Sequence, residues 1–275
     1  MNLFGIGAIF CNESHILKEW IETHYHFGCR RFFLVNNNST DNYMDILQPY
    51  IQKKLVTLYT FSEKHKQEFI NNEIILKNAR GKVKWLAILD LDEFLYPPNP
   101  NPKYKKITDI LAKREYNVGG ISGIGGIVCP WVFFGSSGHI KQPPKVIDNF
   151  TYRDSYDNPN RINVKTIYNL QYTKKIIVHN GEFLPNYYSV ESNSKYSPRK
   201  PNNSVFIELK EEDLQNHAYD LVINHYAIQS WDFFRNVKMT RGDVHSLNSD
   251  NIRNKEYFES YDKNEVLDEC LKNKI

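Results

Sequence analysis

The stretch Trp85-Leu86-Ala87-Ile88-Leu89-Asp90-Leu91-Asp92-Glu93-Phe94-Leu95 climbs from an apolar run into two alternating aspartates, with a glutamate directly after them. Short, apolar at successive positions and free of Gly and Pro, the run predicts a strand buried in a sheet. Strand side chains alternate faces, so Asp90 and Asp92 are expected to point the same way from its carboxyl end. Two like charges in that position repel unless a cation lies between them. The usual solution is a hard divalent ion, completed by substrate phosphates and water. A merely solvated acidic strand end is the plainer alternative. Leu91 between the acids and Phe94-Leu95 after them favour burial.

Upstream of this run the pattern alternates. Residues 3–10 form a short apolar segment that predicts a first strand. Asn12 is placed to cap a helix whose apolar positions Ile16, Leu17, Trp20, Ile21 and Tyr25 repeat with helical spacing, and Gly28 stops it. Residues 32–35 predict a second strand, followed by the polar turn Asn36-Asn37-Asn38-Ser39-Thr40-Asp41 and a helix over 43–50. A third strand over 55–59 and a helix over 66–80 lead to the acidic run. Alternating strands and helices predict an open, mostly parallel α/β sheet. Ligands bind such sheets beyond the carboxyl ends of the strands, where Glu13, Asn36 and Asp92 would lie.

The rest of the chain is less regular. Pro97, Pro98, Pro100 and Pro102 mark a break before a helix near 108–114. Gly119–126 lacks the Walker spacing and its lysine, so it reads as backbone crowding or a bulge. The polar residues 186–204 predict a long exposed loop, either a lid or disordered. Residues 221–223 predict a strand that delivers Asn224-His225-Tyr226, and helices are expected over 230–240 and 252–272. At 275 residues, with 41% hydrophobic and 24% charged side chains, the chain has ordinary globular composition. The net charge of +3, without a dense Lys/Arg stripe, argues against nucleic acid. Cys11, Cys29, Cys129 and Cys270 show no metal-ligand spacing. Apolar runs fall short of a membrane span, and no basic region leads into a long apolar segment at the start. The expectation is a soluble, cytoplasmic protein without a transmembrane segment.

Together, Asn12-Glu13, the turn 37–41 and LDLDEFL resemble glycosyltransferases of the family 2-like, GT-A type. WVFFGSSGH (131–139), Lys165 and INHYAIQSWDFF (223–234) narrow the resemblance to family 92, formerly a domain of unknown function, over about residues 3–243. The resemblance implies a GT-A fold: a Rossmann-like, mostly parallel central sheet flanked by helices. The expected organisation is a single domain over 1–275, with a nucleotide-binding half over about 1–95, an acceptor-side half over about 96–245 and a C-terminal helix over about 252–272. The resemblance further implies a nucleoside-diphosphate sugar donor, uridine diphosphate sugars favoured, a divalent metal and inversion at the anomeric carbon. Carried over by position, Glu13 and Asn36 border the nucleoside, Asp90 lies near the ribose, and Asp92 reaches the metal and diphosphate. The wider group often has an aspartate where this chain has Asn36, so the charged acceptor is lost.

Residue chemistry fills out the expected site. Lys165 would supply charge to the leaving diphosphate. Trp131 is the best candidate in its aromatic segment for stacking on a glycan or glycoconjugate acceptor. His225 is expected to join Asp92 on one metal ion, manganese rather than magnesium because imidazole suits manganese better. A general base is expected among Asp154, His179 and Glu182, with Glu182 first because it follows a strand and a glycine. Plainer readings stand beside these: Glu13 favours a helix's first turn through the macrodipole, Lys165 is solvated, and His179 and His225 are core histidines. A catalytically silent nucleotide-sugar-binding protein and an Asp-x-Asp phosphohydrolase or phosphotransferase are the competing functions. The intact Asp90, Asp92 and His225 weigh against the first, and the lack of a threonine after the motif weighs against the second.

Overall fold

The computed structural model describes residues 1–115, 123–157, 160–193, 206–240 and 253–275. Among these described residues the strands are β1 (Asn2–Phe10), β2 (Phe32–Asn36), β3 (Val56–Thr60), β4 (Val83–Ile88), β5 (Glu93–Tyr96), β6 (Ile124–Phe133), β7 (Tyr152–Arg153), β8 (Asn160–Asn169), β9 (Thr173–Ile176), β10 (Gly181–Phe183), β11 (Tyr188–Glu191), β12 (Phe206–Leu209), β13 (Val222–His225) and β14 (Val266–Leu267). The main sheet runs β3-β2-β1-β4-β8-β6-β13-β5, with β11 beside β6 and β12 beside β8.

Its first half is the parallel unit the alternation predicts. β1 pairs parallel with β2 and β4, and β2 with β3. Period-two alternation places Phe4, Ile6, Ala8 and Phe10 in one core with Ile16, Leu17 and Trp20 of the helix Ser14–His26. Phe33, Val35, Leu86 and Ile88 face the other way, onto Ile70 and Ile75. Gly7 permits that second contact, because a Cβ there would stand 2.4 Å from Ile75 Cγ2. The second half is mixed: β4–β8, β8–β6 and β13–β5 are antiparallel, whereas β6–β13 is parallel.

Several expectations change. β4 ends at Ile88, so Asp90 and Asp92 are not alternating strand residues. Leu89 still donates to the Gly7 carbonyl, after which the chain turns, with Glu93 N–H bonded to Asp90 O, and β5 runs back along β13. Asn12 does not cap its helix. It takes a positive φ of 53°, and its Oδ1 accepts from Thr40 and Asp41 N–H, clasping the 37–41 turn. The helix over 66–80 is composite, with a π-helical segment Ile70–Leu76 between short α-helical ends.

The expected loop over 186–204 contains β11, paired parallel with β6, and residues 194–205 lie outside the described residues. Gly125 and Gly126 do reflect backbone crowding, against the Phe183 ring, whereas 119–122 lie outside the described residues. The expected helix over 230–240 is Trp231–Asn236, with the Ser230 hydroxyl accepting from Phe233 N–H, and then a 3-10 turn Lys238–Thr240. The final helix is only Lys255–Tyr261. Asp262 and Asn264 then accept from the N–H groups of Ser136 and Ser137, and Arg153 bonds Asp268, so the chain is drawn across to form β14 against β7. No helix among the described residues is long and apolar enough to cross a membrane.

Candidate active site

The turn after β4 and the end of β13 meet at the carboxyl end of the parallel half. Register explains the meeting: β13 pairs with β5 so that His225 stands opposite Glu93, and with β6 so that it stands beside Phe133. Tyr226 N–H donates to the Asp92 carbonyl at 2.8 Å. The helix Ser14–His26 secures β5. Trp20 donates its indole N–H to Glu93 O at 2.9 Å, and His24 Nε2 accepts from Leu95 N–H.

Each acid has a basic partner. Lys165 on β8 reaches Asp90 Oδ2 at 3.0 Å and Glu93 Oε1 at 3.3 Å. Burial opposes the lysine's charge, but the Asp90 and Glu93 carboxylates outweigh it and raise its pKa. Burial alone would raise Asp90, yet the Lys165 ammonium holds that carboxyl below its usual range. Glu93 is fully enclosed, and burial pushes its pKa well up. Lys238 spans Asp92 Oδ2 at 2.6 Å and Glu13 Oε1 at 3.2 Å. His225 Nε2 lies 3.6 Å from Asp92 Oδ1, and burial lowers its pKa to about 4, so the ring is neutral at neutral pH.

An aromatic wall stands beside His225. Trp131 and Phe133 pack on the His225 ring at 4.3 and 5.2 Å, His179 meets Trp131 at 5.3 Å, and Tyr261 meets Phe133 at 5.2 Å. The Val164 carbonyl lies 2.8 Å from His179 Nδ1. A carbonyl can only accept, so Nδ1 carries a proton, and in the neutral form of the ring the lone pair is on Nε2. Asp154 N–H bonds the Phe133 carbonyl, and burial, aided by Glu265, raises its carboxyl pKa.

Of the residues singled out in the sequence, Asp90, Asp92, His225, Lys165 and Glu13 come together, with Trp131 and His179 beside them. Asn36 serves the adjacent loop: its Nδ2 donates to Tyr43 OH and its Oδ1 accepts from Ser39 N–H. Glu182 points elsewhere. Its neighbours Gly181 and Phe183 pack on Tyr168 and on Gly125 and Gly126, so alternation turns Glu182 outward, opposite Lys175 across the hairpin. Sequence reasoning missed Glu93 as a site residue, Lys238 and Tyr261. For Lys238 a signal existed, a lone lysine after the apolar Phe233, Phe234 and Val237. Gln67 and Asn71 are two further buried polar residues, on the composite helix rather than among the contacts above. They lie four positions apart, with Gln67 Oε1 and both Asn71 amide atoms lacking a hydrogen-bond partner among the described residues.

A parallel half-sheet that ends in an acidic turn, completed by a mixed half that returns a histidine to it, is the GT-A type of glycosyltransferase architecture. The chain belongs to glycosyltransferase family 92, whose model matches residues 6–255. A family 92 protein of Oryza sativa subsp. japonica is 29% identical over 195 residues, covering 66% of this chain and 32% of the relative. A galactan beta-1,4-galactosyltransferase of Arabidopsis thaliana is 29% identical over 91 residues, covering 30% of this chain and 18% of that protein. The chain thus spans less than a third of the length of either. Among solved structures, S. aureus TarS in complex with UDP-GlcNAc is similar over 61% of this chain and 45% of its own, with a TM-score of 0.36 and 15% identity.

Proposed function

We propose that this site transfers a sugar from a nucleoside-diphosphate sugar, a uridine diphosphate sugar being favoured, to a hydroxyl of a glycan or glycoconjugate, with inversion and with a divalent cation. The observation that carries this reading is the buried group Asp92, Glu93 and His225, whose ligand atoms all lie within 4.8 Å of one another. Asp92 Oδ1 and His225 Nδ1 are buried without a hydrogen-bond partner among the described residues, and Glu93 Oε1 is buried with only the Lys165 ammonium, at 3.3 Å, beside it. A neutral imidazole beside a carboxylate suits manganese, and magnesium less well. Asp92 and His225 would hold the ion. Bound there, it supplies positive charge to the departing diphosphate.

The chain's own groups do the rest. Asp90, half-exposed beside Lys165, accepts from the ribose, and Lys165 adds charge on the leaving-group side. Trp131 and the rings around it position the acceptor. His179 Nε2, rather than Glu182, takes the proton of the acceptor hydroxyl. That oxygen bonds to the anomeric carbon as the bond from carbon to the phosphate oxygen breaks on the opposite face, and the diphosphate leaves with the electron pair. Incubation with a panel of nucleotide sugars and manganese tests the reading: nucleoside diphosphate should be released when a suitable acceptor is present. Tight donor binding without turnover would instead establish a silent binding protein.

A further inference from the structure

We propose that Lys238 is an exchangeable counter-ion. In the free protein its ammonium holds Asp92 and Glu13, and when a divalent cation takes Asp92 it passes to the donor's diphosphate. This rests on the donor reading above and adds a residue and a sequence of partners to it.

Three features carry the argument. The first is how the oxygens are shared. Asp92 gives Oδ2 to Lys238 at 2.6 Å, while Oδ1 faces His225 and accepts no hydrogen bond among the described residues. A divalent ion held by Asp92 and His225 would therefore share one carboxylate with an ammonium group. The two cations repel, and the low-dielectric surroundings magnify the repulsion. An arriving diphosphate removes the conflict, because it offers the ammonium new anionic oxygens.

The second feature is burial. Lys238 is 2% exposed, and lysine is rarely enclosed so completely. A buried ion pair stabilises a fold weakly, because desolvation offsets its attraction. Fastening Asp92 to Glu13 is thus a poor reason to enclose a lysine, whereas holding a movable charge at a donor site is a good one. The third is the carrier. Lys238 opens a 3-10 turn directly after a short helix, at a residue, Val237, that leaves helical geometry at φ −121°. A compact ammonium on a flexible four-carbon stem can change partners there, which a planar guanidinium fork does less readily.

The experiment is titration calorimetry of the wild type, Lys238→Met and Lys238→Arg with manganese alone, and with uridine diphosphate in saturating manganese. For Lys238→Met, manganese affinity without nucleotide should rise, and uridine diphosphate affinity should fall, each by about 5- to 150-fold. Lys238→Arg, which keeps the charge and the fold should the Met variant not fold, should bind manganese no more tightly than the wild type. Unchanged or weaker manganese binding by a folded Met variant overturns the inference, and so does tighter binding by the Arg variant. A wild type that binds neither manganese nor uridine diphosphate overturns the donor reading and this inference with it. A wild type that binds both leaves the donor reading standing whichever way the variants fall.

Discussion

His225 Nε2 stands 3.6 Å from Asp92 Oδ1 because β13 lies antiparallel to β5, in a register that sets His225 against Glu93. Backbone hydrogen bonds therefore fix the pair's relative position, and their approach does not depend on a bound ion. His225→Ala should keep the fold, read by circular dichroism. It should weaken manganese binding by at least the roughly 10- to 100-fold that loss of an outer partner costs at metal sites. Unaltered manganese affinity would remove His225 from the ligand set.

Nucleoside diphosphate should stabilise the protein only together with manganese or magnesium. On the proposed donor reading, a diphosphate without the cation would meet Glu13, Asp90 and Asp92 at close range. At about a hundred times Kd the gain is roughly 2.7 kcal/mol, read as a rise in Tm. Equal stabilisation in the presence of chelator would rule out a cation-bridged site.

His179 and Glu182 separate cleanly. His179→Ala should lower kcat by about 10²- to 10⁴-fold, as expected for a lost general base. Glu182→Gln, altering an outward-facing hairpin residue, should stay within a few-fold of wild type. The reverse ranking would return the proton-accepting role to Glu182.

His24 sets a pH signature. It is fully enclosed, and burial lowers its pKa to about 3. The unfolded chain therefore binds a proton at this position below about pH 6.5 that the folded protein refuses until about 3. Stability should fall as pH is lowered through that window, by up to about 1.4 kcal/mol per pH unit from this group. Denaturant midpoints of wild type and His24→Leu, compared from pH 7 to pH 4, isolate it: the wild type should lose stability more steeply. Parallel curves would show that another group dominates.

Asn71 should trade stability for binding. Its helix joins the parallel strands β3 and β4 and so runs back against them, which sets Asn71, a turn before the Ile75 that packs on Gly7, nearer the carboxyl ends of the strands. A buried amide with no hydrogen-bond partner among the described residues costs about 1–3 kcal/mol. Asn71→Leu should raise Tm and weaken uridine diphosphate binding. A raised Tm with unchanged nucleotide affinity would make Asn71 a packing residue only.

The parallel half of the sheet was legible in the sequence because its determinants are local. Period-two runs at 3–10 and 32–35, helical spacing from Ile16 to Tyr25 and the acidic run after Trp85 each carry their own signal. The two aspartates of the site were legible for the same reason, whereas Lys165 was singled out through the resemblance to family 92 and not by a local signal. Other features were settled only by tertiary structure, because they depend on which distant strands pair. A turn, not a strand, carries Asp90 and Asp92, since β5 must swing back to reach β13. Lys238 meets Asp92 across 146 positions because the helix after β13 returns over the site. Glu182 faces solvent because Phe183 fills the space left by Gly125 and Gly126. No periodicity within a single segment encodes such register, because it follows from packing between segments that are far apart in the chain.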